Sequence, residues 1–145
     1  MKKRILIVDD EASLRDMLSV TLQAKGYEVF TAANGQEGLE KVENARPNLI
    51  VLDVMMPIMD GYDCLKALQA DPKYRDIPVI MLTAKAQDAD VFKGWASGVS
   101  SYLTKPFNPR ELLIFVERIF QAIDSGEATG EWQENEQGGI VYDVT

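Results

Sequence analysis

Short apolar runs recur along this chain, each separated from the next by room for about one helix. The first, Ile5-Leu6-Ile7-Val8, is continuous and rich in β-branched residues, as in a strand buried on both faces. Strands are expected over residues 3–9, 27–32, 49–53, 78–83 and 100–104. Between them the apolar period changes to that of a helix. Ser13 can cap a first helix carrying Leu14, Met17, Leu18, Thr21 and Leu22, with Gly26 at its end. Asn34 can cap a second, with Gly38, Leu39 and Val42 inward, stopped by Pro47. A third covers residues 62–69 with Leu65 and Leu68 inward, a fourth residues 88–96, and a last runs from Pro109 through about Ile123. Five strands alternating with five helices through short connections call for a doubly wound α/β fold, a parallel sheet covered on both faces. Such sheets bind ligands at the carboxyl ends of their strands.

Composition narrows the chemistry. The 145 residues contain no histidine, which excludes Ser-His and Cys-His catalysis and histidine metal sites. One cysteine, Cys64, excludes an intramolecular disulfide and a cysteine-based metal site, and its place among Leu65 and Leu68 reads as a small buried apolar residue. Sparse cysteine suits a cytoplasmic location. No apolar run approaches the length of a membrane span, and the run at residues 5–8 is too short for a signal peptide. The net charge of −8 is unevenly placed: residues 124–145 hold six acids and no base, so the body is near neutral. Neither part offers the basic stripe that direct nucleic-acid binding needs. The expected organisation is one domain over residues 1–123 and an acidic, flexible tail over 124–145. Within the tail, residues 139–144 are weakly strand-like.

The strand ends carry the chemistry. The first ends in Asp9-Asp10, the third in Asp53 and the fourth in Thr83-Ala84, and Lys105-Pro106 follows the fifth. Taken singly, each of these has a commoner structural role as a turn, cap or surface residue. Together they fall on one edge of the sheet. Three carboxylates converging there repel one another, and a hard divalent cation relieves that repulsion. Mg²⁺ binds through one or two carboxylates plus phosphate oxygens, so the cluster predicts a Mg²⁺ site (Mn²⁺ is the alternative) that is completed by a phosphoryl group. Lys105 supplies a positive charge for phosphate oxygens and Thr83 a hydroxyl. One carboxylate would be the nucleophile, giving an aspartyl-phosphate, and Asp53 is the best candidate because Asp9 and Asp10 sit together as a ligand pair.

These residues also carry a family resemblance. Ile7-Val8-Asp9-Asp10-Glu11, Leu52-Asp53-Val54-Met55-Met56-Pro57-Ile58-Met59-Asp60-Gly61, Met81-Leu82-Thr83-Ala84 and Tyr102-Leu103-Thr104-Lys105-Pro106-Phe107 closely resemble the receiver domain of two-component response regulators, over about residues 3–123. The resemblance implies a five-stranded, flavodoxin-like (βα)5 sheet in the order 2-1-3-4-5. It implies that Asp53 accepts a phosphoryl group from a histidine kinase or histidine phosphotransfer protein. Asp10 and Asp53 would bind Mg²⁺ directly and Asp9 mainly through water, with the backbone carbonyl of Met55 as a further ligand. Lys105 would pair with the phosphoryl group, Thr83 would turn toward it, and the rotamer of Tyr102 would follow. The Lys105–Pro106 peptide is expected to be cis, and Gly61 to relax the loop beyond the site. The readout toward a downstream protein would be the surface of the fourth helix, fifth strand and fifth helix.

The chain departs from one branch of that family at this surface. Receivers that dimerise there carry an acidic residue before the switch aromatic and an arginine in the last helix; here those places hold Ser101 and Phe115. A monomer or weak homodimer is therefore expected. Apolar residues nearly encircle the last helix. Leu112, Val116, Ile119 and Ile123 are assigned to the core, and Phe115 and Phe120, with Trp95 nearby, are candidates for a partner surface. The chain is expected to switch partner binding and to perform no enzymatic turnover beyond self-directed phosphotransfer and autodephosphorylation. It reads either as a single-domain receiver or as the receiver part of a longer regulator. A phosphorylation-independent scaffold is a further alternative. An aspartyl-phosphate phosphatase would carry a second catalytic aspartate where this chain has Met55, and a flavin phosphate would be repelled by the Asp-Asp-Glu turn.

Overall fold

The structure, a computed structural model, describes residues 2–84, 101–125, Trp132–Glu134 and Ile140–Tyr142. Its strands are β1 (Arg4–Val8), β2 (Glu28–Ala32), β3 (Leu49–Asp53), β4 (Val79–Thr83), β5 (Ser101–Thr104), β6 (Trp132–Glu134) and β7 (Ile140–Tyr142). Its helices are α1 (Ala12–Gln23), α2 (Gly35–Ala45), α3 (Gly61–Ala70) and α4 (Pro109–Asp124). The helix expected over residues 88–96, Trp95 on it, and Ser100 at the start of the fifth expected strand lie outside the described residues.

The five parallel strands lie in the order β2-β1-β3-β4-β5, as expected. Parallel neighbours need a crossover of at least a dozen residues, and α1 supplies it between β1 and β2 and α3 between β3 and β4. The stretch read as an acidic tail contributes two short strands. β7 pairs antiparallel with β6, and with β5 at Ser101 opposite Val141, extending the β5 edge of the sheet.

Strand alternation divides the core in two. Leu6, Val8, Ile50, Leu52, Val79 and Met81 point to the face covered by α2 and α3, through Val42, Cys64, Leu65 and Leu68. Ile5, Ile7, Leu49, Val51, Ile80, Leu82 and Leu103 point to the face covered by α1 and α4, through Leu18, Leu22, Leu112, Val116 and Phe120. β1, β3 and β4 are apolar on both faces because both are covered.

Local chemistry explains the helix ends. The Asn34 side chain accepts a hydrogen bond from the Glu37 N–H, capping α2 as expected. α2 ends with Arg46 in the left-handed region (φ 49°), one residue before Pro47. Asn108 and Glu111 form a reciprocal capping box at the start of α4, with Pro109 in its first turn. The Asp60 side chain caps α3 by accepting from the Asp63 N–H.

Several expectations fail locally. Ser13 is no cap: α1 begins at Ala12 after Glu11, and the Ser13 hydroxyl donates to the Glu11 carboxylate. Met17 is exposed, because only Leu18 and Leu22 on α1 are fully buried. On α4, Phe120 is core and no partner surface; it is 5% exposed, and its ring lies 5.5 Å from that of Tyr27. Phe115 is half-buried against the same core. Ile123, expected in the core, is 37% exposed and lies in the last turn of α4.

Ile58, in the loop between β3 and α3, has φ 72° and is 83% exposed. A β-branched residue in the left-handed region is strained, and an exposed side chain gains little packing in return. Ile58→Gly is expected to raise stability by about 1 kcal/mol, measured by urea unfolding. Phe120→Ala is expected to cost about 3 kcal/mol or more, whereas Ile114→Ala on the exposed side of α4 should change stability by less than about 0.5 kcal/mol.

Candidate functional site

The carboxyl edge of the sheet gathers the singled-out residues. β1 and β3 are neighbours, so Asp9, just past β1, stands beside Asp53, the last residue of β3. Asp9 and Asp53 are buried and Asp10 is exposed. One carboxylate oxygen from each of the three lies within 4.8 Å of the others. Three hard oxygen donors at that spacing fit an oxygen-preferring divalent cation.

Lys105 enters from the loop after β5. Its ammonium lies 3.0 Å from Asp9 Oδ2 and 3.2 Å from Asp53 Oδ1. The backbone is tied there, since the Lys105 N–H donates to the Thr83 carbonyl (2.6 Å); the Lys105–Pro106 peptide is cis, as expected. Burial acts to lower the Lys105 pKa, but its hydrogen bonds and the charges of Asp9 and Asp53 outweigh burial and raise it. It therefore stays charged.

Asp53 is the acid most perturbed. Burial and then the Asp9 charge push its pKa up to about 6, against the opposing pull of Lys105. One ammonium among three carboxylates leaves negative charge in excess.

Thr83 and Tyr102 sit on the other face. Thr83 shares the strand parity of Val79 and Met81, and Tyr102 packs against that same cluster. Tyr102 is opposite Met81, and Thr83 opposite Thr104, so Thr83 and Tyr102 are diagonal neighbours on adjacent strands. Thr83 is fully buried and Tyr102 half-buried.

The loop after Asp53 is folded tightly. The Val54 N–H donates to the Leu82 carbonyl (2.9 Å), and the Gly61 N–H to the Val54 carbonyl (2.8 Å). A Cβ on Gly61 would run into the Asp53 carbonyl oxygen and come 2.9 Å from Val54 Cα. Gly61 is thus required for close approach, where the sequence reading expected it to relax the loop. The Met55 side chain turns outward and is 70% exposed.

Sequence reasoning missed two contacts on Asp9. The Glu11 N–H donates to Asp9 Oδ1 (2.9 Å), and the Arg15 guanidinium donates to the Asp9 carbonyl oxygen (2.7 Å). Arg15 lies six residues after Asp9 within an amphipathic helix, where an arginine reads as a solvated surface residue.

The Asp53 shift has a consequence for stability. Its folded pKa lies above that of an unfolded aspartate, so folding favours the protonated form. The penalty of ionising it is fully present above about pH 6, shrinks as pH falls through that value, and disappears below about pH 4. In metal-free buffer Asp53→Asn is expected to stabilise the fold by about 1–3 kcal/mol at pH 8. The gain should vanish near pH 4, as read from urea unfolding at both pH values.

Comparison with known proteins agrees with this geometry. The model of the response regulator receiver domain family matches residues 5–117. The alkaline phosphatase synthesis transcriptional regulatory protein PhoP of Bacillus subtilis is 40% identical over 141 residues, covering 97% of this chain and 58% of that protein. The DNA-binding response regulator MtrA of Mycobacterium tuberculosis is 42% identical over 128 residues, covering 88% and 55%. The chain thus spans about half the length of the curated relatives it matches. Among solved structures, the chemotaxis response regulator CheY4 of Vibrio cholerae superposes with a TM-score of 0.76 at 42% identity, over 82% of this chain and 99% of that one. The receiver domain of the sensor histidine kinase PA1611 from Pseudomonas aeruginosa, solved with a magnesium ion coordinated in its active site cleft, gives 0.72 at 30% identity, over 81% and 97%. The chain belongs to the response regulator receiver domain family.

Proposed function

We propose that Asp53 is the phosphoacceptor of a Mg²⁺-dependent switch that controls partner binding. The observation that carries this reading is the convergence of Asp9, Asp10 and Asp53 within 4.8 Å, with the Lys105 ammonium between two of them. The phosphoryl donor is a phosphohistidine on a histidine kinase or a histidine phosphotransfer protein. A carboxylate oxygen of Asp53 forms the new O–P bond as the donor's N–P bond breaks, and the electron pair leaves with the imidazole. Asp10 and Asp53, with Asp9 behind them and the Met55 carbonyl as a further ligand, are the groups that would hold the cation. When bound, Mg²⁺ (or Mn²⁺) offsets the negative charge of the phosphoryl oxygens and of the attacking carboxylate. Lys105 reaches the same oxygens without rearranging, since its ammonium already contacts Asp53.

Phosphorylation replaces a single negative charge by about −1.5 to −2 and adds three strong acceptors. Thr83 turns its hydroxyl toward that group, and Tyr102, its diagonal neighbour, moves into the space released. Only groups that bind the phosphoryl oxygens better in one arrangement shift the population. The readout lies on β5, α4 and the segment between β4 and β5. The reaction is self-directed, with autodephosphorylation and no turnover of an external substrate, and the protein acts in the cytoplasm. No helix among the described residues is long and apolar enough to cross a membrane. That the matches cover only 58% and 55% of the curated relatives favours a second reading, in which this chain is the receiver portion of a longer regulator.

Intact mass after incubation with acetyl phosphate and Mg²⁺ tests the proposal. One phosphoryl group should be gained, and the gain should be absent in Asp53→Ala and without Mg²⁺. Equal labelling of Asp53→Ala would overturn the assignment of the acceptor.

A further inference from the structure

We propose that Arg15 is a positioning residue for the acid pair, holding the Asp9–Asp10 turn in the conformation that receives the divalent cation. This inference rests on the Mg²⁺ reading of the site given above.

Asp10 is exposed, and its own carboxylate has little packing to fix it. What aims it is the backbone of the turn between β1 and α1. That turn is tied at three points. The Asp9 N–H donates to the Ala32 carbonyl (3.1 Å), the Glu11 N–H to Asp9 Oδ1 (2.9 Å), and Arg15 Nη1 to the Asp9 carbonyl oxygen (2.7 Å). The last bond bears directly on the peptide that joins Asp9 to Asp10. Because a guanidinium is permanently charged and the bond is short, it is a charge-assisted hydrogen bond. Arg15 is itself half-buried, and its backbone is fixed in α1, with its N–H on the Glu11 carbonyl and its C=O accepting from the Ser19 hydroxyl. The helix thus reaches back from its first turns to clamp the strand end.

Two effects of Arg15 on cation binding have opposite signs. Its positive charge opposes a divalent cation, so a purely electrostatic role predicts that removing it tightens Mg²⁺ binding. A clamp on the turn predicts that removing it loosens binding. Outer-shell partners of metal ligands typically contribute about tenfold to hundredfold in affinity. A bond to the backbone next to a ligand belongs at the low end, so Arg15→Met is expected to weaken Mg²⁺ binding roughly 3–10-fold. Methionine retains much of the apolar stem, so α1 packing is preserved.

The test is isothermal calorimetry of Mg²⁺ binding to wild type, Arg15→Met, Arg15→Lys and Asp10→Asn, with thermal melts in metal-free buffer as the folding control. The Mg²⁺ dependence of acetyl phosphate labelling is measured beside it. The expected result is weaker binding in Arg15→Met, partial rescue in Arg15→Lys, and a raised Mg²⁺ half-saturation with an unchanged labelling rate at saturating Mg²⁺. Unchanged or tighter binding in Arg15→Met, while Asp10→Asn binds weakly, would overturn the clamp and leave the metal site standing. A wild type that binds no Mg²⁺ would instead overturn the site reading, and this inference with it. A melt lowered by more than a few degrees in both Arg15 variants, with lost binding that Lys does not restore, would assign Arg15 a merely structural role.

Discussion

One ammonium held between two buried carboxylates organises this end of the molecule. Asp9 and Asp53 are out of water because the strands that deliver them are covered on both faces, and they are adjacent because β1 pairs with β3. A buried carboxylate is tolerated only with a partner, and Lys105 serves both. Asp10 adds a third negative charge at the rim. One positive charge does not balance three carboxylates, so the site takes up either a proton or a cation. The Asp53 pKa of about 6 expresses the first option, and three hard oxygens within 4.8 Å of one another could hold the second.

The sheet also separates two tasks. Asp53 shares its strand parity with Leu49 and Val51, on the face covered by α1 and α4, whereas Thr83 and Tyr102 belong to the face covered by α2 and α3. Charge is gathered on one face and the two proposed switch side chains stand on the other. They meet at the ends of β4 and β5, where the Lys105 N–H bonds to the Thr83 carbonyl. One backbone hydrogen bond thus joins the residue that contacts Asp9 and Asp53 to the residue whose side chain neighbours Tyr102.

Much of this was legible before the structure. Continuous β-branched runs such as residues 5–8 announce strands covered on both sides, and the parallel order brings Asp9, Asp53, Thr83 and Lys105 to one edge. Asn34 and Pro109 marked their helix starts because capping is local chemistry. What stayed hidden depends on contacts between distant segments. Arg15 resembles any solvated helical arginine until the strand end it touches is known. The strain at Ile58 follows from a loop that must turn back so that Gly61 can pass beside the Asp53 carbonyl. The Ser13 assignment failed because a capping residue is recognised by where the helix begins, and here Glu11 occupies that place.

The last helix shows how apolar excess can mislead. Its sequence is apolar almost all round, which suggested surface left over for a partner. A helix at a sheet edge packs over a wide arc, and α4 spends Leu112, Val116, Ile119 and Phe120 on the core, with Phe115 half-covered beside them. Ile114 and Ile123 remain exposed, nine residues apart and so on opposite sides of the helix, which keeps them from forming one patch. β5 is equally constrained. Ser101 is buried on a strand that β7 covers, where a carboxylate would need a partner for its charge. Leu103 is core, and Tyr102, half-buried between the two, faces the opposite side of the sheet as the diagonal neighbour of Thr83.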